Sequence, residues 1–342
     1  MIRSILTFCP SLPARVLAVT SLVFLLPHVA RAQDYRVMSF NVRVGSANDG
    51  RNGWDYRKTL VSKTIASFNP DFFGVQEALS YQSSYLLNNL SGYQKVGSGR
   101  SADGSGEQTA IFYKTNKFTK VRSGQYWLSS KPNTPGTLGW DAQFPRTVTW
   151  VQLRDKVNPD FSFVYFNTHW DHVGDQARFN SATLMRQKVK EIAPGLPAIF
   201  SGDFNADEGS NPYRRLRGQD NFDSIRDFQD SFATIHPDTQ ATVGTAHEFT
   251  GKTGDRRIDW ILPDWDWDVL NASIVRTSYD GRYPSDHFPI TAVVRASPFA
   301  ATMTASLTAV PEPASAGLII GGGALLLARR RPSLGSHELQ CC

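Results

Sequence analysis

Cysteine is almost absent from this chain of 342 residues, which contains only three. Cys9 lies near the amino terminus, Cys341 and Cys342 are the last two residues, and residues 33–298 contain none. A domain without cysteine has no disulfide framework, no thiolate zinc site and no cysteine nucleophile. Any catalytic chemistry in this central part must therefore use other side chains.

Long hydrophobic runs are also scarce, and the two that exist lie at the ends of the chain. Residues 16–29 read VLAVTSLVFLLPHV, follow Arg3 and Arg15, and lead into the sequence ARA at 30–32. Basic residues, an apolar run and a small-x-small site are typical of a secretory signal peptide. We therefore expect residues 1–32 to be removed and the protein to be exported; the alternative is a buried amino-terminal helix.

The carboxyl-terminal run is shorter than a full membrane span. Residues 311–342 begin with Pro-Glu-Pro, continue with an apolar stretch of 15 residues at 314–328, and then have three arginines at 329–331. A full span needs about 20 apolar residues, and arginines hold their end of a segment on the cytoplasmic side. The small and polar residues at 299–310 predict a linker between this segment and the central domain.

The last segment, 311–342, resembles the PEP-CTERM sorting signals of Gram-negative bacteria, which an exosortase recognises and cleaves. The resemblance implies transient membrane insertion, an exosortase-type processing enzyme as a partner, and a location in the periplasm, the cell envelope or outside the cell. Such signals usually stop at the arginines, whereas here PSLGSHELQCC follows at 332–342. The alternative is a plain membrane anchor.

An excess of charge of one sign is absent from the central part of the chain, although the whole chain has a formal net charge of +5. Without residues 1–32 and 310–342 there are 30 basic and 29 acidic residues, a net charge of +1. The positive excess therefore comes from the terminal segments. A strong long-range field for nucleic acid is not expected of such a domain.

Strand patterns alternate with a few helical ones between residues 33 and 298. Helical spacing is clearest at 57–68 and 175–193, whereas segments such as YRVMSFNVRV at 35–44 alternate apolar and polar residues as strands do. Many strands with interspersed helices predict an α/β fold, a four-layer sandwich of two packed mixed β-sheets flanked by helices.

Polar residues recur where the predicted strands end. Asp259 lies within a predicted strand, and Asp286 and His287 open the last one. The residues that follow or end the other strands are Asn41, Glu77, His169, Asp203 and Asn205. A single such residue is usually a cap or part of a turn, but a set of this size predicts convergence at one edge of the sandwich.

Six sequence blocks carry a family resemblance. MSFNVR, GVQE, NTHWDH, GDFN, RIDWIL and SDHFP occur in this order between residues 36 and 296. Together they resemble the endonuclease/exonuclease/phosphatase superfamily, which includes deoxyribonucleases, abasic-site endonucleases, inositol-polyphosphate 5-phosphatases, sphingomyelinases and deadenylases. The further blocks NDGRNGWDYRK, GWDAQFPR and DGRYPSDHFP look like a secreted bacterial branch. The resemblance implies an enzyme in which an activated water attacks the phosphorus of a metal-bound phosphate ester.

Hard oxygen ligands without cysteine suit Mg²⁺ or Mn²⁺. The resemblance implies a metal site at Glu77, Asn41 and His287. It further implies that Asp203 activates the attacking water and that Asn205 binds the phosphate.

The remaining roles implied by the resemblance concern the histidines. His169 is expected to donate a hydrogen bond to a phosphate oxygen. His287, paired with Asp286, is expected to act as general base or charge stabiliser, since a neighbouring carboxylate raises an imidazole pKa and fixes its tautomer. Asp259 is expected to complete the polar network around that histidine or a second metal.

Two arginines are candidate phosphate clamps, because arginine pairs bidentately with phosphate. These are Arg57 and Arg146, and a salt bridge to a nearby aspartate is the alternative for each. Asp171 is a candidate substrate contact, with capping of its own loop as the alternative. Glu107 either supports the site, as a glutamate does in the deoxyribonucleases, or lies on the surface.

Two versions of the hydrolase remain open from the sequence, a nuclease and a hydrolase of small phosphate esters. The expected substrate is thus a nucleic acid, a sugar phosphate or a lipid headgroup, and the protein is expected to be a monomer. Near-neutral charge disfavours tight non-specific DNA binding. A third alternative is a non-catalytic binding module of the envelope or biofilm matrix with the same fold.

Overall fold

The computed structural model describes residues 33–220, 222–238 and 243–297. The predicted signal peptide, linker and sorting segment therefore lie outside the described residues. The strands are β1 (Asp34–Asn41), β2 (Phe72–Gln76), β3 (Tyr93–Val96), β4 (Ile111–Lys114), β5 (Phe118–Trp127), β6 (Thr147–Asp155), β7 (Ser162–His169), β8 (Ala198–Asp203), β9 (Asp259–Pro263), β10 (Trp267–Ile274) and β11 (Ile290–Ala296). The α-helices are α1 (Trp54–Phe68), α2 (Ser80–Asn89), α3 (Asp175–Ile192), α4 (Asn211–Arg217) and α5 (Ser231–Ile235).

The strands form two mixed sheets. One has six strands in the order β10-β11-β1-β2-β4-β3, and the other has five in the order β5-β6-β7-β8-β9. Each sheet contains one parallel pair, β1 with β2 and β7 with β8, and its other neighbours are antiparallel. The predicted pair of mixed sheets is confirmed.

Three hydrophobic clusters separate the layers of the sandwich. The inner cluster packs one sheet on the other, with Tyr35 and Phe72 from the first sheet against Phe163 from the second. A second cluster packs α3 and α4 on the outer face of the five-stranded sheet. A third packs α1 and α2 on the outer face of the six-stranded sheet. The layer order is therefore helix, sheet, sheet, helix, as the sequence predicts.

A polar link crosses the two sheets just below the strand ends. The Asn167 amide, on β7, donates to the carbonyl oxygens of Val75 at 2.9 Å and Ala110 at 3.1 Å, and accepts from Gln76 Nε2 at 2.7 Å. A Cβ atom on Gly74 would lie 2.4 Å from this amide. Glycine at that position therefore makes room for the side chain that joins the sheets.

Some boundaries and elements differ from the sequence-based prediction. The strand predicted at 35–44 ends at Asn41, and β11 begins at Ile290, so Asp286 and His287 lie before that strand rather than at its start. The residue Asp259 is the first of β9. Within the described residues, no helix combines the length and apolar character needed to cross a membrane.

Candidate active site

Three neighbouring strands of the five-stranded sheet present polar side chains side by side. His169 ends β7 and is paired in parallel register with Asp203 at the end of β8. Asp203 is in turn paired in antiparallel register with Asp259, the first residue of β9. Since neighbouring strands lie about 4.8 Å apart, the backbone register alone brings these three side chains within reach of one another.

The six-stranded sheet contributes Asn41 and Glu77 to the same edge. Glu77 follows β2 with a φ of 62°, a left-handed conformation that is uncommon for a residue other than glycine. Its carboxylate accepts hydrogen bonds from Asn41 Nδ2 at 2.9 Å and from the Val44 amide at 2.8 Å. Asn41 Nδ2 also donates to Asp203 Oδ2 at 2.9 Å. Asn41 therefore joins the two sheets within the site.

His287 is held by Asp259. Its Nδ1 lies 2.9 Å from Asp259 Oδ2, and its Nε2 lies 3.8 Å from Asp203 Oδ2. Burial lowers the pKa of His287, but the carboxylates of Asp259 and Asp203 outweigh burial and raise the pKa well above its usual value. This arrangement favours the protonated imidazolium form of His287.

The predicted pairing of His287 with Asp286 is wrong. The Asp286 carboxylate accepts from Ser285 Oγ at 3.1 Å and lies 3.4 Å from Arg43 Nη1. Asp286 lies in a bend, whereas His287 forms an isolated bridge with Ala246. The partner of the imidazole is therefore Asp259, in agreement with its expected place in the network around His287, while Asp286 still lines the pocket.

His169 and Asn205 form a second polar pair. Asn205 Nδ2 lies 3.1 Å from His169 Nε2 and donates to the Trp170 carbonyl oxygen at 3.0 Å, and Asn205 has a φ of 47°. Burial, followed by the positive charges of Arg146 and Arg100, lowers the pKa of His169 well below its usual value. A neutral His169 can accept the amide hydrogen at Nε2.

Asp203 lies at the centre of the site and is almost completely buried. Its Oδ1 accepts a hydrogen bond from the backbone nitrogen of Asn205 at 3.0 Å. Burial, and next the nearby negative charge of Asp259, raise the pKa of Asp203 to about 7. A carboxyl group whose pKa lies near neutrality is suited to proton transfer at physiological pH.

A pocket of about 320 Å³ is lined by Glu77, His169, Asp203, Asn205 and His287, while Asn41 and Asp259 contact these residues from beneath it. An aromatic ring and basic residues also line this pocket, with Arg100 at 4.7 Å from the centroid of the Phe144 ring. Arg100 also forms two hydrogen bonds of 2.9 Å with Glu107. Arg43, Arg100 and Phe144 were not predicted from the sequence. Arg43 and Phe144 lie in the blocks MSFNVR and GWDAQFPR, which carry the family resemblance, so they could have been predicted. The loop around Arg100 belongs to no such block.

Arg146 lines this pocket, but Asp171 does not serve as predicted. Asp171 is buried. Its Oδ1 accepts hydrogen bonds from the backbone nitrogens of Val173 and Gly174 at 3.0 and 2.9 Å. Its Oδ2 accepts from the backbone nitrogen of Gln143 at 3.1 Å and lies 3.4 Å from Arg146 Nε. The alternative, a loop cap, describes Asp171 correctly because its oxygens are already engaged. The predicted substrate contact is wrong for this residue, and the clamp role of Arg146 stays a prediction.

The predicted phosphate clamp is also wrong for Arg57. The guanidinium group is fully buried and donates to backbone carbonyl oxygens. Its acceptors are Val42 O, Asn52 O at 2.9 Å, Arg43 O at 2.8 Å and Pro284 O at 3.1 Å. A guanidinium group with its donors bound to the main chain holds segments together and does not bind a ligand.

The donor set of the site fits a hard divalent cation. One group of possible ligand atoms, all within 4.8 Å of one another, comes from Glu77, His169 and Asp203; another comes from Asp203, Asp259 and His287. Asp259 Oδ1 is buried and has no hydrogen-bond partner among the described residues. Several buried carboxylates this close together require a positive charge nearby to offset their loss of hydration and mutual repulsion. In the predicted metal site His287 stands with Glu77 and Asn41, but in the structure its ring nitrogens lie next to Asp203 and Asp259 instead.

The two-sheet fold and this acidic, histidine-containing edge define a hydrolase of phosphate esters. Residues 38–287 match the Endonuclease/Exonuclease/phosphatase family. The chain belongs to this family, whose members are phosphoester hydrolases. The resemblance stated from the six sequence blocks is confirmed at the level of the family, and so is the predicted class of enzyme.

Solved structures include relatives of bacterial origin. A mannosyl-6-phosphatase of Bacteroides thetaiotaomicron is 32% identical with a TM-score of 0.69, over 76% of this chain and 99% of that protein. An endonuclease/exonuclease/phosphatase family protein of the same species is 31% identical with a TM-score of 0.71, over 78% and 99%.

A more distant relative is the Nocturnin of Xenopus laevis, 23% identical over 207 residues, 53% of this chain and 50% of that protein. The chain thus spans about half the length of this curated relative. The human Nocturnin catalytic domain, solved with a sulfate anion, is 21% identical with a TM-score of 0.60, over 80% of this chain and all of that one. This last similarity supports the fold alone.

Proposed function

We propose that this protein is an exported hydrolase that depends on a divalent metal ion and cleaves phosphate esters with an activated water. The observation that carries the proposal is the convergence of side chains from distant segments on one pocket of about 320 Å³ and its floor. These side chains are Asn41, Glu77, His169, Asp203, Asp259 and His287. Family membership supports the same chemistry.

The proposed roles follow from the contacts. Mg²⁺ or Mn²⁺, held by Glu77 and Asn41, supplies positive charge to the phosphoryl oxygens when bound. Asp203 orients the attacking water and accepts one of its protons as the new oxygen–phosphorus bond forms. His169 contacts the phosphate oxygens from the other side; Asn205, whose side-chain amide bonds His169 and the Trp170 carbonyl oxygen, holds that imidazole in place and turns its Nδ2 to the phosphate only if these bonds rearrange when substrate binds.

His287 is proposed to complete the reaction. Its imidazolium group, kept charged by Asp259, stabilises the growing negative charge on phosphorus oxygens. As the ester bond breaks, His287 donates a proton to the departing oxygen, and the alcohol leaves neutral. Its grouping with Asp203 and Asp259 supports this assignment over a place in the metal site with Glu77.

For the substrate we propose a small phosphate monoester, with a sugar phosphate first. The pocket has a limited volume, the domain has a net charge of +1, and a relative at 32% identity is a mannosyl-6-phosphatase. A nuclease is the second candidate, because Arg43, Arg100 and Arg146 line the pocket beside an exposed Phe144 ring. Arginines next to an aromatic ring are suited to single-stranded nucleic acid.

We also propose that residues 1–32 direct export and that 311–342 form a PEP-CTERM-type signal. In this proposal the segment inserts transiently into the membrane, an exosortase-type enzyme removes it, and the protein acts as a monomer in the periplasm, envelope or medium. The sequence patterns at both ends support it. Intact-mass analysis of the protein recovered from a Gram-negative host tests both cleavages; a full-length mass in the cytoplasm would contradict them.

The enzymatic proposal is tested by a screen of the purified full chain against DNA, RNA, sugar phosphates, inositol phosphates and lipid headgroup esters. Activity is expected with Mg²⁺ or Mn²⁺, loss with EDTA, and loss of at least about 100-fold in Asp203→Asn. The matched control is Asp268→Asn, an exposed aspartate on β10, which should retain activity. Equal activity in Asp203→Asn and the parent would instead favour the binding-module alternative or another site.

A further inference from the structure

A second pocket, of about 460 Å³, lies beside the catalytic pocket. Its walls come from the amino-terminal part of α1 and from α2, within and after the block NDGRNGWDYRK that the catalytic roles leave unexplained. We call it the aromatic pocket, and its side chains include Trp54, Tyr56, Tyr81 and Tyr85 together with Asp55 and Lys58.

The aromatic pocket has a fixed floor and an exposed rim. Trp54 is buried and meets Tyr85 edge to face, with ring centroids 5.8 Å apart. Tyr56 and Tyr81 are 63% and 49% exposed on the rim. Large rings exposed singly need no explanation, but two that flank one concave surface are typical of a ligand-binding site.

One short segment separates the aromatic pocket from the catalytic pocket. Val44 lines the catalytic pocket, and its amide binds Glu77, the proposed metal ligand. The next residue, Gly45, lines the aromatic pocket, and a Cβ atom there would lie 2.3 Å from the Tyr81 hydroxyl group. Gln82 fixes this segment by accepting from the Gly45 amide at 2.7 Å.

Arg57 fixes the same segment from below. It donates to the carbonyl oxygens of Val42 and Arg43, and its guanidinium group lies 5.2 Å from the centroid of the Trp54 ring. The floor of the aromatic pocket and the edge of the catalytic pocket are therefore one rigid unit. Val44 and Gly45 are consecutive residues, so the two pockets adjoin at this segment.

We propose that the aromatic pocket binds the sugar ring of the substrate and so makes the enzyme selective for sugar phosphates; this inference rests on the proposed function. Aromatic rings pack on the apolar faces of a sugar while phenol hydroxyl and carboxylate groups bond its hydroxyls. The side chain of Asp55 is 83% exposed and available for such bonds.

The charge of the aromatic pocket favours a sugar over a nucleic-acid strand. Nucleobases also stack on aromatic rings, but strand binding requires cations along the phosphate backbone. Among the described residues that line this pocket, the one cation is Lys58, which is paired with Asp55 at 2.8 Å. A neutral, hydroxyl-rich ring suits this balanced pair.

The kinetic test compares Tyr56→Ala/Tyr81→Ala with the parent on mannose 6-phosphate, AMP and methyl phosphate, which has no ring. The matched control is Trp265→Ala, 67% exposed in the turn after β9, at the end opposite Asp259. We expect KM for mannose 6-phosphate to rise about tenfold, equivalent to about 1.4 kcal/mol, with methyl phosphate and the control unchanged. Equal losses on methyl phosphate, a loss confined to AMP, or no loss would overturn the proposal.

A binding test separates this inference from the proposed function. Saturation-transfer difference NMR with methyl α-mannoside is applied to the full chain and to His287→Ala. The sugar has no phosphate, so the measurement requires binding but no hydrolysis. We expect signals from the sugar ring with both proteins and their loss in Tyr56→Ala/Tyr81→Ala. Absence of signal with the parent would refute the sugar site, whatever the enzyme hydrolyses. A signal without any phosphatase activity would keep the site and refute the proposed reaction.

Discussion

At the scale of single residues, the site depends on which carboxylate holds which cation. Asp259 binds His287 Nδ1 at 2.9 Å. Asp286, which precedes His287 in sequence, instead lies 3.4 Å from Arg43 Nη1. The two aspartates therefore support different parts of the pocket. Their substitutions should be distinguishable in kinetics.

Asp259→Asn should lower kcat by about 100-fold or more, because His287 loses the carboxylate that fixes its tautomer and charge. Asp286→Asn should have a smaller effect, since it leaves the imidazole contact intact. Steady-state kinetics on one phosphate ester, with thermal unfolding as a check on folding, measures both. A larger loss in Asp286→Asn would restore the pairing expected from the sequence.

Arg57→Lys should destabilise the protein by about 2–3 kcal/mol, because a lysine reaches fewer of the four buried carbonyl oxygens and leaves others unpaired. For a domain of this size that corresponds to a fall in Tm of about 4–12 °C. Arg154→Lys, on an exposed position of β6, is the control. Unchanged Tm in Arg57→Lys would mean that the main-chain bonds contribute little.

The sequence predicted most site residues because they end or follow strands, and strand ends at one sheet edge converge. It misassigned the roles of Arg57 and Asp171 and the pairing of Asp286 with His287, although it placed Asp259 near that histidine, and one physical reason accounts for these errors. Whether a buried guanidinium group meets a phosphate or four carbonyl oxygens depends on segments that tertiary folding brings together. The sequence block DYRK is compatible with either outcome.

At the scale of secondary-structure elements, the strands buried on both faces were recognisable, and so was β1 by its alternation, whereas two largely exposed edge strands were not. β7 and β8 are buried along their whole length, and their apolar runs predicted strands. β5 and β10 are edge strands with many exposed residues, so their sequences lack a clear alternation. The helix α2 has few buried residues and gave an equally weak signal.

The contact between the sheets at Gly74 should tolerate no side chain. Gly74→Ala would place a Cβ atom 2.4 Å from the Asn167 amide and displace its bonds to the facing strands. We expect a loss of stability of about 2–3 kcal/mol, measured by urea unfolding. Gly254→Ala, where the nearest atom is 4.0 Å away, should cost much less, and similar losses in both variants would argue against the inter-sheet contact as the cause.

At the scale of the whole molecule, charge distinguishes the two candidate substrates. The domain between the terminal segments has a net charge of +1, so its attraction to polyanions is weak. A protein that neutralises 6–10 phosphates of DNA loses roughly 10³–10⁵-fold in affinity between 50 and 200 mM salt.

We expect kcat/KM for a sugar phosphate to change less than about tenfold over this range, because one phosphate is neutralised within the pocket. The measurement is a salt titration of the metal-loaded full chain at constant metal concentration. Plasmid nicking that falls steeply over the same titration would identify the nuclease instead.

The pairing of β1 with β11 in antiparallel register bears on how the protein is made. Asn41 is synthesised early, but β1 gains its second neighbour in the sheet only when β11 has been made. Asp259 likewise gains its partner His287 only when synthesis has passed residue 287. Because domains fold as units once their elements are available, the site cannot form until nearly all of the described part of the chain is free to fold together. Catalytic competence is thus acquired in one late step of biogenesis.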